Sequence, residues 1–178
     1  LGTDYLDLYL IHWPNWPRGK VPVKETLEGL KYLKEDGLIR AFGVSNFSIK
    51  RMKEALKYSD EIVTNQVEFH PMLYQKELLE FCEENGVKIT AYSPVARGAV
   101  FKNKTIQEIA EGVGKTPAQV SLKWLLQKGM IVIPKASSKG HLQENLDVFG
   151  WRLGKEDVAA IDNLKEKKRM VNIPFFEF

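Results

Sequence analysis

An imidazole and a large indole stand side by side at Ile11-His12-Trp13, directly after the apolar run Tyr5-Leu6-Asp7-Leu8-Tyr9-Leu10. A histidine titrates near neutral pH and can hydrogen-bond or protonate a reacting oxygen. Four further groups of polar or aromatic residues follow short apolar runs in the same way. Ser45 and Asn46 close Gly43-Val44-Ser45-Asn46-Phe47; Asn65, Gln66 and Glu68 precede His70-Pro71; Tyr92 and Ser93 precede Pro94; Lys135, Ser137 and Ser138 follow Pro134. Each group taken singly has a purely structural reading, as a cap, a turn or a packed ring. Five coincident strand ends make that reading improbable. Ser, Asn and Gln are neutral donors and acceptors suited to a carboxamide. Tyr92 offers a flat face for a planar ring, and Lys135 with nearby hydroxyls and His141 suits a phosphate. A carboxamide, a planar ring and a phosphate together describe a nicotinamide dinucleotide.

The elements that must hold these groups alternate between strand and helix. Strands are predicted over residues 5–11, 39–44, 62–67, 87–92 and 130–133. The first reads as a buried parallel strand. Helical spacing of Leu27, Leu30 and Leu33 marks residues 23–35, which stop at Asp36-Gly37. Ser48 caps a helix that turns Met52, Ala55 and Leu56 inward, and residues 75–84 form the next, stopped by Asn85-Gly86. Residues 105–113 read as an extra short helix. Thr116-Pro117-Ala118 opens a stronger one carrying Val120, Leu122, Trp124, Leu125 and Leu126. Helices over 142–147 and 155–164 precede a tail running to Phe178. Strands interleaved with helices imply right-handed βαβ units and a parallel sheet. An open doubly wound sheet and a closed eight-stranded barrel compete. The first would usually carry a Gly-x-Gly-x-x-Gly turn after its first strand, and this chain has none; Gly112 and Gly114 end a helix. A barrel draws its site from the carboxyl ends of many strands, which is the distribution found here.

Composition narrows the function classes. The 178 residues can bury a sizeable core as one domain, with 44% apolar and 28% charged residues. A net charge of +3 with Lys and Glu interspersed argues against a nucleic-acid partner. No apolar run is long enough to span a bilayer, and no metal site is expected. Cys82 is the single cysteine, so no intrachain disulfide is possible, and its setting in Leu78-Leu79-Glu80-Phe81-Cys82 reads as a helical core thiol. A cytoplasmic location fits these features.

The chain resembles the aldo-keto reductases from about their fourth barrel strand onward. The resemblance rests on Leu8-Tyr9-Leu10-Ile11-His12-Trp13-Pro14, Gly37-Leu38-Ile39-Arg40-Ala41-Phe42-Gly43-Val44-Ser45-Asn46-Phe47, Asn65-Gln66-Val67-Glu68-Phe69-His70-Pro71, Ala91-Tyr92-Ser93-Pro94 and Val132-Ile133-Pro134-Lys135-Ala136. It implies a (β/α)8 TIM barrel, of which residues 1–178 would be the C-terminal part of a single domain, with about five βα units plus extra helices. It implies reduction of aldehydes or ketones with NADPH, NADH being possible. His12 matches the histidine that orients the carbonyl, and Trp13 an aromatic of the substrate pocket, with Trp16 a further candidate wall. Ser45, Asn46 and Gln66 match the carboxamide-holding groups; Tyr92, with Ser93 beside it, matches the ring-stacking tyrosine. Lys135, Ser138 and His141 fall where the family binds the adenosine 2′-phosphate, and Glu144 and Asn145 where it binds adenine. Four positions depart from the pattern: Ala136 replaces a usual Ser, His141 a usual Arg, and Lys139-Gly140 a common Pro-Glu. The phosphate thereby loses one permanent cation and gains Lys139 as a candidate.

Carbonyl reduction also needs a proton donor. The resemblance implies a tyrosine acid tuned by a lysine and an aspartate, all from strands that would precede Leu1. Tyr5, Tyr9, Tyr32, Tyr58, Tyr74 and Tyr92 stand in no matching context. A complete barrel needs ~250 residues, about three βα units more than this chain holds. The expectation is therefore a fragment of a longer chain, inactive alone, and a monomer or weak homo-oligomer when complete. Two other classes stay open: a non-catalytic cofactor-sensing relative of the kind that regulates channels, and an inert truncated product. The tail Ile173-Pro174-Phe175-Phe176-Glu177-Phe178 could fold over the site.

Overall fold

A computed structural model describes residues 2–14 and 21–172. Trp16 and the tail from Ile173 lie outside the described residues. The chain forms five parallel strands in the order β1-β2-β3-β4-β5: β1 Leu6–Ile11, β2 Ile39–Ser45, β3 Ile62–Glu68, β4 Lys88–Tyr92 and β5 Ile131–Val132. The helices are α1 Val23–Glu35, α2 Ile49–Ala55, α3 Lys76–Glu84, α4 Lys104–Val113, α5 Pro117–Gln127, α6 Lys139–Leu146 and α7 Lys155–Asp162. Two compact units divide the chain, one of residues 2–67 and 76–89, the other of 68–75 and 90–172.

In the first unit β2 is the central strand. Its Ile39, Phe42 and Val44 are buried, as are Leu27 and Leu30 of α1, Met52 and Ala55 of α2, and Leu78, Leu79 and Cys82 of α3. The predicted spacing of apolar residues thus turns the intended faces inward. Gly37, at φ 74°, takes the left-handed conformation that ends α1 and lets β2 begin two residues later. Burial pushes the Cys82 thiol up to about 11, against a lowering contribution from its hydrogen bond with Asn65, so it is an inert core thiol.

The expectation of a buried β1 does not hold. Leu8 and Tyr9 are 44% and 45% exposed. Among the described residues β1 pairs only with β2, from Leu6 opposite Ile39 to Ile11 opposite Val44. Consecutive strand residues face opposite sides of a sheet, so both sides of β1 are wet near its middle.

In the second unit β4 pairs with β5, Thr90 opposite Ile131 and Ala91 opposite Val132. The unit's core is α5, buried from Ala118 through Leu125. Thr116 and Gln119 close a capping box at its start, and Pro117 occupies the first turn. Trp124 is fully buried, meets Tyr74 edge-to-face at 5.3 Å, and donates its indole N–H to Asp162 at 2.7 Å. Lys128 pairs with the same carboxylate at 2.8 Å, tying α5 to α7. α6 begins at Lys139, earlier than the apolar pattern indicates, because Ser138 caps it by accepting from the His141 N–H at 3.2 Å. A tight turn, Ala96–Lys102, interrupted by left-handed Arg97 and Gly98, joins β4 to α4 and had no periodic signature.

Gly43 sets the spacing of β1, β2 and β3. A Cβ there would lie 2.6 Å from the Thr64 carbonyl oxygen and 2.9 Å from Leu10 Cδ2. At the same place β2 advances from Phe42 to Val44 while β3 advances from Ile62 to Asn65, an irregularity in the ladder. Such a bulge re-aims the side chains that follow it. Gly43→Ala should force the backbones apart and destabilise the chain by about 1–3 kcal/mol, the usual cost of overpacking. A urea-unfolding midpoint equal to that of the parent would show that the strands yield freely.

Candidate active site

The carboxyl ends of β2 and β3 are tied together through one backbone oxygen, and the end of β1 joins them through the Asn46 side chain. The Gln66 carbonyl accepts the Ser45 hydroxyl at 2.7 Å and the Asn46 N–H at 2.9 Å. Asn46 stands at φ 64°, which turns the chain away from the sheet immediately after β2. Asn tolerates this conformation better than most residues. Its side-chain amide then donates to the His12 carbonyl at 3.0 Å and lies 3.1 Å from the Ser45 hydroxyl. Ser45 and Asn46 are 1% and 5% exposed, whereas the His12 side chain is exposed. The knot therefore holds the backbone of His12 while leaving its ring open to solvent. Trp13 follows it, ring centroids 6.2 Å apart, and lines a small cavity with Ile11, Phe47 and the Arg51–Glu54 ion pair.

Asn65 has no role that its place in sequence assigns. Fully buried, it donates to the Phe47 carbonyl at 2.8 Å and accepts the Phe47 N–H at 3.4 Å. It thereby fixes the residue after Asn46, and its adjacency to Gln66 in Asn65-Gln66 is the signal that could have assigned it. Ser48, by contrast, occupies the N-cap of α2 with no side-chain cap hydrogen bond.

In the second unit the end of β4 carries Tyr92 and Ser93, both half-buried, with Ser93 held at φ 50°. A non-glycine residue in this region is a local cost that marks functional turns. Burial, and next the Glu68 charge, push the Tyr92 hydroxyl up to about 12, partly offset by Arg169 and Arg97. Tyr92 is therefore a neutral ring at physiological pH. Beside it, the buried Glu68 carboxylate accepts from His70 Nε2 at 2.9 Å.

Lys135 is exposed after β5 and has no carboxylate partner among the described residues. Ser138, Lys139 and His141 are exposed at the start of α6, whose first turn holds no acidic residue. A helix start without acids, with lysines at hand, suits a phosphate. Ser138 accepts the helix-capping bond and keeps its own O–H to donate. Glu144 accepts the Thr116 hydroxyl at 2.6 Å, so its carboxylate also ties α6 to α5; Asn145 is half-buried one residue on. The structure thus brings His12, Trp13, Ser45, Asn46 and Gln66 together in one unit, and places Tyr92, Ser93, Lys135, Ser138, His141, Glu144 and Asn145 in the other. The group types match the parts of a nicotinamide dinucleotide: neutral amides and a hydroxyl in the first set, a planar ring and exposed lysines in the second.

The aldo/keto reductase family model matches residues 1–166. A glyoxal reductase from Bacillus subtilis is 44% identical over 171 residues, covering 96% of this chain and 60% of that protein. A 9,11-endoperoxide prostaglandin H2 reductase from Trypanosoma cruzi is 42% identical, covering 98% of this chain and 62% of its own length. The crystal structure of an aldo-keto reductase complexed with NADPH superposes with a TM-score of 0.88 at 33% identity, over 96% of this chain and 57% of that one. This chain spans about three-fifths of the length of these relatives. Its parallel α/β architecture is that of the (β/α)8 barrel, and the chain belongs to the aldo/keto reductase family.

Proposed function

We propose that this chain carries the cofactor-holding and carbonyl-orienting part of an NADPH-dependent reductase of aldehydes or ketones. The observation that carries this reading is the knot around the Gln66 carbonyl. Three strand ends spend buried polar groups to hold Ser45, Asn46 and the His12 backbone in one arrangement. Buried polar groups are costly unless paired, and here the pairing leaves an exposed imidazole at the edge of the cluster. Membership of the family, and names such as glyoxal reductase and prostaglandin H2 reductase among the relatives, support carbonyl-type substrates.

NADPH, when bound, supplies the hydride for the carbonyl carbon. Every other contribution belongs to the protein. Ser45, Asn46 and Gln66 hold the nicotinamide carboxamide, and Tyr92 presents its ring face to the nicotinamide. Lys135, with Ser138 and His141, holds the 2′-phosphate, while Glu144 and Asn145 flank the adenine. Ser93 keeps Tyr92 in place through its left-handed backbone. His12 donates an N–H to the carbonyl oxygen, orienting it and stabilising the charge that develops there. Trp13 lines the pocket beside it, and Trp16, outside the described residues, is a second candidate wall. No tyrosine among these 178 residues stands in the context expected of the proton donor.

His12→Ala, in the chain joined to the preceding βα units, should lower turnover roughly ten- to ten-thousand-fold while leaving cofactor affinity nearly unchanged. Near-normal turnover across several aldehydes would remove the role. Lys135→Ala should weaken NADPH far more than NADH, by roughly ten- to a hundred-fold, since a hydrogen bond to a charged group contributes about 1.5–3 kcal/mol. Quenching of tryptophan fluorescence by each cofactor measures this, and equal losses for both would take Lys135 out of the 2′-phosphate site. The 178 residues alone should show no steady NADPH consumption with a reactive aldehyde, assayed on protein of confirmed intact mass. Sustained turnover there would mean that a residue of this chain donates the proton.

A further inference from the structure

Glu68 and His70 form a buried pair that the proposed chemistry leaves unused. Both side chains are 0% exposed, and His70 Nε2 lies 2.9 Å from Glu68 Oε1. An ionised carboxylate only accepts, so the His70 proton sits on Nε2. His70 Nδ1 is then buried with no hydrogen-bond partner, a cost that the pair must offset elsewhere. The return comes from the segment after α7. The Met170 N–H donates to Glu68 Oε1 at 2.5 Å and the Val171 N–H to Oε2 at 2.9 Å, across more than a hundred residues of sequence. The same segment is anchored by the Lys168 N–H on the Met72 carbonyl at 2.9 Å. Gln75 donates to the Glu68 carbonyl at 2.8 Å, fixing the residue from behind. Burial would raise the Glu68 carboxyl, but the His70 bond and the two backbone N–H groups outweigh it and hold the group ionised. Arg169, between the anchored residues, acts on the Tyr92 hydroxyl against Glu68, lowering what the carboxylate raises.

We propose that Glu68 is a positioning residue: oriented by His70, its carboxylate clamps Met170 and Val171 and so sets where the C-terminal segment stands beside Tyr92. The clamp is a property of the folded chain alone. Its bearing on cofactor rests on the reading of Tyr92 as the ring-stacking residue. A carboxylate is required because three donors converge on two acceptor oxygens. A glutamine at 68 has one oxygen, and its amide nitrogen would face an N–H.

Hydrogen exchange on the whole 178-residue chain tests the clamp without cofactor or turnover. Glu68→Gln should lower protection of the Met170 and Val171 amides roughly ten- to a hundred-fold, the loss expected for a hydrogen bond to a charged acceptor, with α5 unaffected. Val171→Pro removes one donor and leaves the buried pair whole, so it serves if Glu68→Gln fails to fold. In chains with 13C-labelled tyrosine rings, both variants should shift the Tyr92 resonance, assigned through Tyr92→Phe, and leave Tyr5 and Tyr32 in place. Unchanged amide protection, or an unmoved Tyr92 signal beside lost protection, overturns the proposal. If both readouts respond while NADPH fails to bind any form of the protein, the clamp stands and the cofactor reading falls.

Discussion

The backbone oxygen of Gln66 is the fixed point of the first unit. It accepts two hydrogen bonds from the last residue of β2 and the one after it, the Ser45 hydroxyl and the Asn46 N–H. Both bonds require β3 to arrive in a particular register, and that register follows from the irregularity opposite Gly43. With a side chain at position 43 the strands could not approach; without the register shift Asn65 and Gln66 would present different faces. The left-handed turn at Asn46, its bond to the His12 carbonyl and the lock of Asn65 on Phe47 all depend on that arrangement. A glycine with no chemistry of its own therefore decides where the polar groups stand.

Polar burial on this scale is paired almost throughout. Asn65 satisfies both backbone groups of Phe47, and Gln119 reaches the Glu144 and Asp147 carbonyls at the end of α6. Lys123, nearly buried, donates to the Val148 carbonyl at 2.8 Å. Each neutral bond contributes little net stability, but an unpaired partner would cost about 1–3 kcal/mol. Such residues specify position more than they add stability. His70 Nδ1 is the exception among the described residues, and it belongs to the pair that grips the segment after α7.

Local patterns made most of the elements legible. Helical spacing in α1, the Thr116-Pro117 start of α5 and the Asp36-Gly37 stop each encode a boundary in adjacent residues, and the elements lie within a few residues of their predicted limits. The strand-end positions of the polar groups were legible because each group directly follows an apolar run in sequence. Features that depend on distant partners were not. The exposure of Leu8 and Tyr9 follows from what lies beside β1, which its apolar composition cannot report. The turn Ala96–Lys102 has no period to detect, since Ala96, Arg97 and Gly98 all stand at positive φ. Glu68 stood out as a strand-end carboxylate, but nothing nearby in sequence announces donors at 170 and 171.

The two sets of site residues differ in electrical character, and their surroundings match. Around Ser45, Asn46 and Gln66 the groups are neutral and largely buried, where a charge would pay a desolvation cost that an amide avoids. Around Lys135, Lys139 and His141 the groups are exposed, where a cation keeps its hydration until an anion arrives and its contribution is screened by salt. Orientation at the first set therefore comes from preformed hydrogen bonds and should be insensitive to ionic strength. On the proposed reading, preference for a phosphorylated ligand at the second set comes from charge.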